Sequence, residues 1–575
     1  TNQNMRMLLG KWLFEKKDLM KSREQISKIK LNSAEGYKLW SQINYDLYQK
    51  NHKDVQYLID SFEASLKGVS LSSSDQLIFT LRILSILFKK GNAKIYQKFR
   101  EMIKKIPLHV WIIVLPQIIA RANSNNTELR ELIAELIYNI GVEQPHVVLY
   151  SLMVPLKSDL ASNSEGKNRQ VVASTIFDRL SLLFPTLVEQ MNTLANELIR
   201  AAVTQWEAWN TQLDLASKAF ITRNNPKEMI EILQPLHNQL HKPPETFYEV
   251  MFQRGFGQPL ELAEACLRRY QETHAIETLY QAWSYYFNVF HQVKPFLNEV
   301  DKIPLEDAAP ILASMRSTEL LVPGTYEYNA PLIQLSEISP VMAVMTSKQR
   351  PRRMAMKGSN GVTYTFLLKA HEDTRLDERV MQFFTLVNSF ILHSSIPMKD
   401  KLNITTYKVI PLTAEVGLIG WVPSCTTLYE IIRDYRKKMN IPLEYEYQCM
   451  RQSAQQKNQV YENLQPKEQL PIFNKALHTK FPSTTHFEKE QPNNGNEMKY
   501  QLFAMSDDSN HWINRRVAYS TSLAMTSMAG YILGLGDRHM SNIMIKNRSA
   551  KLVHIDFGDC FEVAQYRDKF PEKVP

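Results

Sequence analysis

Cysteine is scarce in this chain. Four stand in 575 residues, Cys266, Cys425, Cys449 and Cys560, with no C-x-x-C pair among them. That spacing argues against a disulfide framework or a zinc site and fits a reducing compartment. Long apolar runs are missing as well. The most apolar stretch, 110–120, covers about half of a bilayer span and is interrupted by Pro116. No signal peptide opens the sequence, so the expectation is a soluble cytoplasmic protein without a transmembrane segment. Charge of one sign is not in great excess either. A net charge of +9 is modest for such a length; it permits acidic partners or a membrane surface, but no nucleic-acid binding is expected from it. Glycine-rich phosphate cradles are absent, since no G-x-G-x-x-G occurs. What the chain does have is 44% hydrophobic and 10% aromatic residues, enough to bury sizeable cores and to exclude global disorder. Its length suggests about two to four domains.

The most informative residues are Gly534-Leu-Gly-Asp537-Arg538-His539-Met-Ser-Asn542-Ile, followed by His554-Ile-Asp556-Phe557-Gly558-Asp559. Phosphoryl transfer needs a carboxylate to orient or deprotonate a hydroxyl, and ligands to hold Mg²⁺ against ATP phosphates. Ordinary protein kinases supply these as H-R-D-x-x-x-x-N followed by D-F-G. Asp537 and Asn542 keep the Asp-x-x-x-x-Asn spacing, and Asp556 follows fourteen residues after Asn542. The histidine stands after the aspartate, so the triplet reads Asp-Arg-His.

With that reversal, Gly-Asp-Arg-His-x-x-Asn and His-Ile-Asp-Phe-Gly resemble the phosphatidylinositol 3-kinase clan. Asp556-Phe-Gly-Asp-Cys-Phe-Glu-Val-Ala564 and Lys569-Phe-Pro-Glu-Lys-Val-Pro575 are similar to its target-of-rapamycin (TOR) branch of serine/threonine kinases. The likeness runs from about Ser73 to Pro575 and is densest from Lys348 onward. Met540 departs, standing where TOR proteins usually carry proline.

The expected architecture is multidomain: an all-α helical solenoid and a four-helix bundle, followed by an α+β bilobal kinase fold with a truncated C-lobe. Residues 1–195 read as helices, with apolar residues three and four apart, as in Leu77, Leu81, Leu84 and Leu87. Polar breaks such as Asn123-Ser-Asn-Asn-Thr127 and Ser162-Asn-Ser-Glu-Gly166 separate them. Such pairs stack into a solenoid, and by resemblance this is the end of a FAT domain. Residues 196–293 carry two aromatic stripes, Trp206, Trp209, Leu213, Ala216 and Phe220, then Trp283, Phe287 and Phe290. Asn225-Pro226 opens a helix, and Lys242-Pro-Pro244 breaks the chain. The bundle resembles the FKBP–rapamycin-binding domain. The resemblance implies a drug groove of Leu213, Ser217, Ile221, Tyr280, Trp283, Phe287 and Phe290. There Ile221 replaces an aromatic, Tyr280 a threonine, Ser284 an aspartate and Phe287 a tyrosine, so weakened binding of a rapamycin–immunophilin complex is expected.

Residues 294–421 are expected to hold the kinase N-lobe and its linker, with strands from about Tyr326. Met342-Ala-Val-Met-Thr-Ser347 and Val362-Thr-Tyr-Thr-Phe-Leu-Leu-Lys369 are β-rich, and Lys357-Gly-Ser-Asn-Gly361 offers hairpin chemistry. Lys369 ends a strand, where a kinase needs a cation for the phosphates. Thr346-Ser-Lys-Gln-Arg-Pro-Arg352 resembles the TOR phosphate-binding loop, with hydroxyl, backbone and basic groups in place of glycines. Glu372 or Asp377 should pair Lys369, and the resemblance favours Glu372. Tyr407-Lys-Val-Ile-Pro-Leu412 and Gly417-Leu-Ile-Gly-Trp-Val-Pro423 read as strands. By resemblance Gly420, Trp421 and Val422 form the hinge, its backbone bonding adenine and its indole beside the purine. Residues 422–575 are expected to be the second lobe, helical from Leu428 to Met439. The polar stretch 451–498 has no chemistry assigned, and Gln491-Pro-Asn-Asn-Gly-Asn496 is expected to be loop.

The resemblance implies ATP and Mg²⁺ as cofactors, contacted by Met345, Ser347, Leu367, Lys369, Glu372, Tyr407, Ile419, Gly420, Trp421, Val422, Thr427, Met544 and Ile555. Asp537, His539 and Lys369 are the expected catalytic residues, Asn542 and Asp556 the metal ligands, and Arg538 a brace. The implied activity is phosphorylation of protein Ser/Thr, controlling growth in response to nutrients, with TOR-complex subunits as partners. Implied locations are the cytoplasm, endomembrane surfaces and the nucleus. The alternatives are a phosphoinositide kinase, disfavoured by the mixed charge of 561–569, and a catalytically silent scaffold, disfavoured by intact Asp537, Asn542 and Asp556. Ending nineteen residues past Asp556, the sequence is expected to be a fragment of a longer kinase.

Overall fold

Short polar side chains set the helix starts. Asn92 accepts from the Ile95 N–H at 3.1 Å and Asn126 from the Leu129 N–H at 3.1 Å, each satisfying a donor that the first turn leaves without an intrahelical partner. The computed structural model describes all residues except 1, 51–53, 72–74, 158–163, 393, 395, 457–459, 478–496 and 567–575. Two compact units result: 1–379 with 407–421, and 380–406 with 422–575.

The first unit begins with α-helices from Asn2 to Ala202. Leu77, Leu84 and Leu87 are buried and Leu81 is half-buried, so the three-and-four spacing does mark an inner face. The apolar stretch 110–120 forms a 3₁₀ segment, Leu108–Val114, and a short helix, Leu115–Ala120, with Trp111 fully buried against Phe99. Helix Thr127–Glu143 starts at the first polar break; helix Ser164–Leu183 starts within the second, whose beginning lies outside the described residues.

Four helices follow: Gln205–Ser217 (continued by a π-turn, Lys218–Thr222), Pro226–Leu240, Phe247–Thr273 and Ile276–Glu299. Thr204 with Glu207 and Thr246 with Glu249 form capping boxes, and Asn225 caps the helix that Pro226 opens. Trp206, Trp209, Leu213, Ala216 and Phe220 join Phe252, Phe256 and Tyr286 in one core. Each large apolar side chain so buried contributes about 1.5–3 kcal/mol.

The unit closes with a seven-stranded antiparallel sheet of β1 (Lys302–Pro304), β2 (Leu335–Ile338), β3 (Val341–Val344), β4 (Arg352–Gly358), β5 (Thr363–Ala370), β6 (Val409–Pro411) and β7 (Val416–Gly420). The strand order is β1-β3-β4-β5-β7-β6, with β2 also on β4. Strands therefore begin earlier than the expected Tyr326, because β1 is too short to show an alternation. The expected turn at 357–361 joins β4 to β5.

In the second unit, β8 (Cys425–Thr427), β9 (Ile543–Lys546) and β10 (Leu552–His554) form a small antiparallel sheet. The α-helices here are Leu428–Lys438, Tyr445–Gln455, Pro466–Leu477, Glu497–Ala504 and Ser509–Leu533. Helix Thr374–Leu392 belongs to the first unit through Arg379 and to the second from Val380. Much of the described part of the polar stretch 451–498 is thus helical, while the loop expected at 491–496 lies outside the described residues. No described helix is long and apolar enough to cross a membrane.

Candidate active site

On β5 the side chains alternate. Phe366, Leu368 and Ala370 are buried, while Thr365, Leu367 and Lys369 are half-exposed on the other face. Residues directly opposite in an antiparallel pair share a face. Leu367 faces Ile419 and Lys369 faces Gly417, so three expected nucleotide contacts, Leu367, Lys369 and Ile419, lie together. Gly417 has to be glycine: a Cβ there would lie 2.1 Å from Thr374 Oγ1. The Lys369 ammonium pairs with Glu372 at 2.6 Å, as expected from the alternative the resemblance favoured. Arg352 faces Leu368, which puts the 345–351 turn at the Lys369 end of the sheet. Met345 and Ser347 stand in that turn, where the Ser347 N–H donates to the Met345 carbonyl at 2.9 Å. Tyr407 is half-buried just before β6.

Two expectations need correction. The basic charge of 346–352 is not all available to phosphate. Arg352 is fully buried and, with Arg350, is bound to Glu207 of the helical bundle. Burial would push the Glu207 carboxyl up, but Arg352 and the Thr204 donors outweigh it and hold it below the ordinary glutamate range. Sequence reasoning missed Glu207, because Thr204-x-x-Glu207 reads as an ordinary capping box and nothing local points to residues 350 and 352. The hinge is the second correction. The Gly420 N–H donates to the Lys408 carbonyl at 2.8 Å and the Trp421 N–H to the Thr365 carbonyl at 2.9 Å. Both donors are committed to the sheet and are not free for a nucleotide base. Trp421 is 39% exposed, and its ring carries the Arg353 guanidinium 5.6 Å from its centroid.

In the second unit, helix Ser509–Leu533 ends at Gly534, whose φ of 58° is left-handed and whose Cβ, if present, would sit 3.0 Å from the Phe561 carbonyl oxygen. The chain then turns through Asp537 (φ 56°) and, after β9 and β10, through Asp556 (φ 61°). Such backbone is uncommon outside glycine and concentrates at functional sites. Asn542 closes the first loop: its backbone N–H donates to the His539 carbonyl at 2.9 Å and its Nδ2 to the Asp537 carbonyl at 3.0 Å. Its carbonyl accepts from the Ile555 N–H at 3.1 Å, tying the loop to the strand before Asp556. Arg538 adds the brace expected of it. Its Nε donates to the Gly536 carbonyl at 2.7 Å, its Nη1 to the Ile555 carbonyl at 2.9 Å and its Nη2 to the Asp556 carbonyl. Below, Phe557 is fully buried, edge-on to Phe384 at 5.6 Å.

His539 is exposed, with Nε2 3.9 Å from Asp537 Oδ2. Its Nδ1 accepts the Ser541 N–H at 3.2 Å, so in the neutral ring the proton sits on Nε2. His554 is held neutral: burial, then Arg538, pushes its pKa down to about 4. Thr427 and Met544 are direct partners across β8 and β9, with the Thr427 hydroxyl committed to capping helix Leu428–Lys438. Ile555 is half-buried beside Asp556.

The donor set suits magnesium. With Nδ2 engaged, Asn542 offers its amide oxygen, and no hydrogen bond to the Asp556 carboxylate is present among the described residues. Two hard oxygen ligands match a Mg²⁺ ion that keeps waters and phosphate oxygens as its others. No cluster of three or more His, Cys, Asp or Glu is placed to cage a metal among the described residues.

In the bundle, Leu213 is buried, Ser217, Trp283 and Phe290 are half-buried, and Ile221, Tyr280 and Phe287 are exposed. Phe220 lies 5.7 Å from both the Tyr280 and the Trp283 ring.

Three family models match stretches of this sequence. Residues 363–575 match the family described as phosphatidylinositol 3- and 4-kinase, 197–295 the FKBP12-rapamycin binding domain, and 94–198 the ATR-like HEAT repeats. Serine/threonine-protein kinase mTor of Drosophila melanogaster is 39% identical over 90% of the chain, and TOR2 of Saccharomyces cerevisiae 37% over 90%. The chain belongs to the TOR family. It spans about a fifth of those relatives, 20% of each. Among solved structures, the open conformation of CtTel1 covers 98% of this TOR-family chain with a TM-score of 0.60 at 17% identity, using 17% of its own length. That likeness concerns the fold alone. The TOR-like stretch 569–575 lies outside the described residues.

Proposed function

We propose that this chain is the catalytic region of an ATP- and Mg²⁺-dependent protein serine/threonine kinase. The observation that carries the reading is the closed loop of Asp537 and Asn542 tied through Arg538 to Asp556. Asp537 orients or deprotonates the acceptor hydroxyl, and a positioned base of this kind contributes about 10²–10⁴-fold. His539 directs its Nε2–H at charge developing on the phosphoryl group. Lys369, held by Glu372, binds the phosphates, and the Val422 N–H with the Trp421 indole receives adenine. The Asn542 amide oxygen and the Asp556 carboxylate would hold Mg²⁺. When bound, that ion neutralises phosphate charge. Residues 1–195 serve as a FAT-like clamp and 196–293 as a bundle of the rapamycin-binding type. Growth control in response to nutrients, TOR-complex partners and a cytoplasmic location belong to the same proposal.

The test compares acceptors. The purified full-length protein, given radiolabelled ATP, should label protein serine and threonine and leave phosphoinositide vesicles unlabelled. Labelled lipid with unlabelled protein would replace this reading with the phosphoinositide alternative.

A further inference from the structure

The Glu207 side chain is buried at the start of helix Gln205–Ser217, yet it does more than cap that helix. Its Oε2 accepts the Thr204 N–H at 3.0 Å and the Thr204 hydroxyl at 2.9 Å. The same oxygen takes Arg352 Nη2, and Oε1 takes Arg350 Nε at 3.0 Å. Arg350 also donates through Nη2 to the Val300 carbonyl at 3.1 Å, beside the end of helix Ile276–Glu299. Both ends of the bundle therefore grip one turn of the sheet. Arg350 holds a left-handed backbone, φ 48°, and its carbonyl accepts from Arg352 Nη1. Inside the turn, the Met345 N–H donates to the Pro351 carbonyl at 2.9 Å and the Arg350 N–H to the Ser347 carbonyl at 3.1 Å. Thr346, Ser347 and Lys348 remain exposed at its tip. Two arginines spent on one buried carboxylate are a costly way to anchor a turn, since desolvated charges must be matched closely. The arrangement makes physical sense where the turn has to be held still.

We infer that Glu207 is a positioning residue for the phosphate-binding turn: acting through Arg350 and Arg352, it fixes where Thr346, Ser347 and Lys348 are presented to the ATP polyphosphate. The inference rests on the kinase reading, and on the turn lying at the Lys369 end of the sheet. A positioning role differs from a general structural one because its effect follows phosphate and spares the base.

The test uses the full-length protein and its Glu207→Gln and Arg350→Ala variants. Calorimetry gives the affinity for Mg·ATP and for adenosine, and hydrogen–deuterium exchange follows residues 345–351. Glu207→Gln is expected to weaken Mg·ATP about tenfold, the loss of roughly one charge-assisted bond. Adenosine affinity should stay unchanged and the turn should exchange faster. Arg350→Ala leaves the Glu207–Arg352 pair in place and should give a smaller loss of the same kind. It decides the matter alone if Glu207→Gln does not fold. Equal losses for ATP and adenosine, or unchanged ATP affinity and exchange, overturn the positioning role. A wild type that binds adenosine as well as ATP refutes the phosphate-turn assignment, and one that binds neither refutes the kinase reading beneath it.

Discussion

Glu378 lines a cavity of about 290 Å³ with Arg375, Arg379, His146 and Lys408. Burial pushes its carboxyl up to about 7, and neighbouring Arg379 offsets this only in part. A raised folded pKa means that the folded protein holds this proton more tightly than the unfolded chain does. The associated stability is fully present below the ordinary glutamate value and is lost as pH rises through about 7. Over that window the loss is about 3 kcal/mol, at 1.36 kcal/mol per pKa unit. Glu378→Gln cannot ionise, so urea unfolding should show it gaining on wild type by about this amount between pH 4.5 and pH 8. Parallel profiles would mean that Glu378 ionises without penalty. A second residue-scale test concerns metal. With the Asn542 Nδ2 engaged by Asp537, Asp556 carries the formal charge of the proposed pair. Asp556→Asn should weaken Mg·ATP far more than metal-free ADP, and equal calorimetric losses for the two would remove Asp556 from metal binding.

At the scale of elements, the bundle has a continuous buried core, and the drug groove that the resemblance implies is a matter for experiment. Ile221 is 65% exposed and Tyr280 60% exposed, so two of the positions that the resemblance marks as changed stand at the surface. Losing an aromatic wall at Ile221 forfeits about 0.5–1.5 kcal/mol, and the bulk of Tyr280 costs about 1–3 kcal/mol. Binding of a preformed rapamycin–immunophilin complex should therefore be about tenfold to a thousandfold weaker than for a typical TOR protein. Tyr280→Thr should recover much of it; unchanged weak binding in that variant would shift the cause elsewhere. What the sequence made legible divides along the same line. The bundle was readable because its start signals and stripes are local: Asn225 with Pro226, and the buried Trp209 and Leu213 one turn apart. The Asp537, Asn542 and Asp556 loops were readable because their spacing is chemical. The Glu207 grip on Arg350 and Arg352 was not, since partners 143 and 145 residues apart leave no local pattern. Nor could the sequence show that the Gly420 and Trp421 N–H groups are spent on Lys408 and Thr365, because donor use depends on strand register.

For the molecule as a whole, the chain is 20% of its TOR relatives in length, so acceptor choice and chemistry are separable questions. On the proposed reading the chemical step depends on Asp537. That side chain stands at a left-handed backbone position, φ 56°, held there by Asn542 Nδ2 on its carbonyl and by the Arg538 clamp one residue on. Because those contacts are made by the backbone and by the neighbours, Asp537→Ala should leave the loop folded. The substitution also removes the carboxylate's contacts with Asn542 Nδ2 at 3.3 Å and His539 Nε2 at 3.9 Å, but the loss that governs the rate is the interaction with the acceptor hydroxyl in the transition state. A loss of that kind lowers kcat and kcat/KM together while KM stays put. The full-length Asp537→Ala protein should thus phosphorylate its protein substrates about 10²–10⁴-fold more slowly, with the KM for ATP within about twofold of wild type. Steady-state kinetics over a range of ATP concentrations measures both. A raised KM with kcat preserved would make Asp537 a nucleotide-binding group, and undiminished kcat would mean that the acceptor hydroxyl reacts without it.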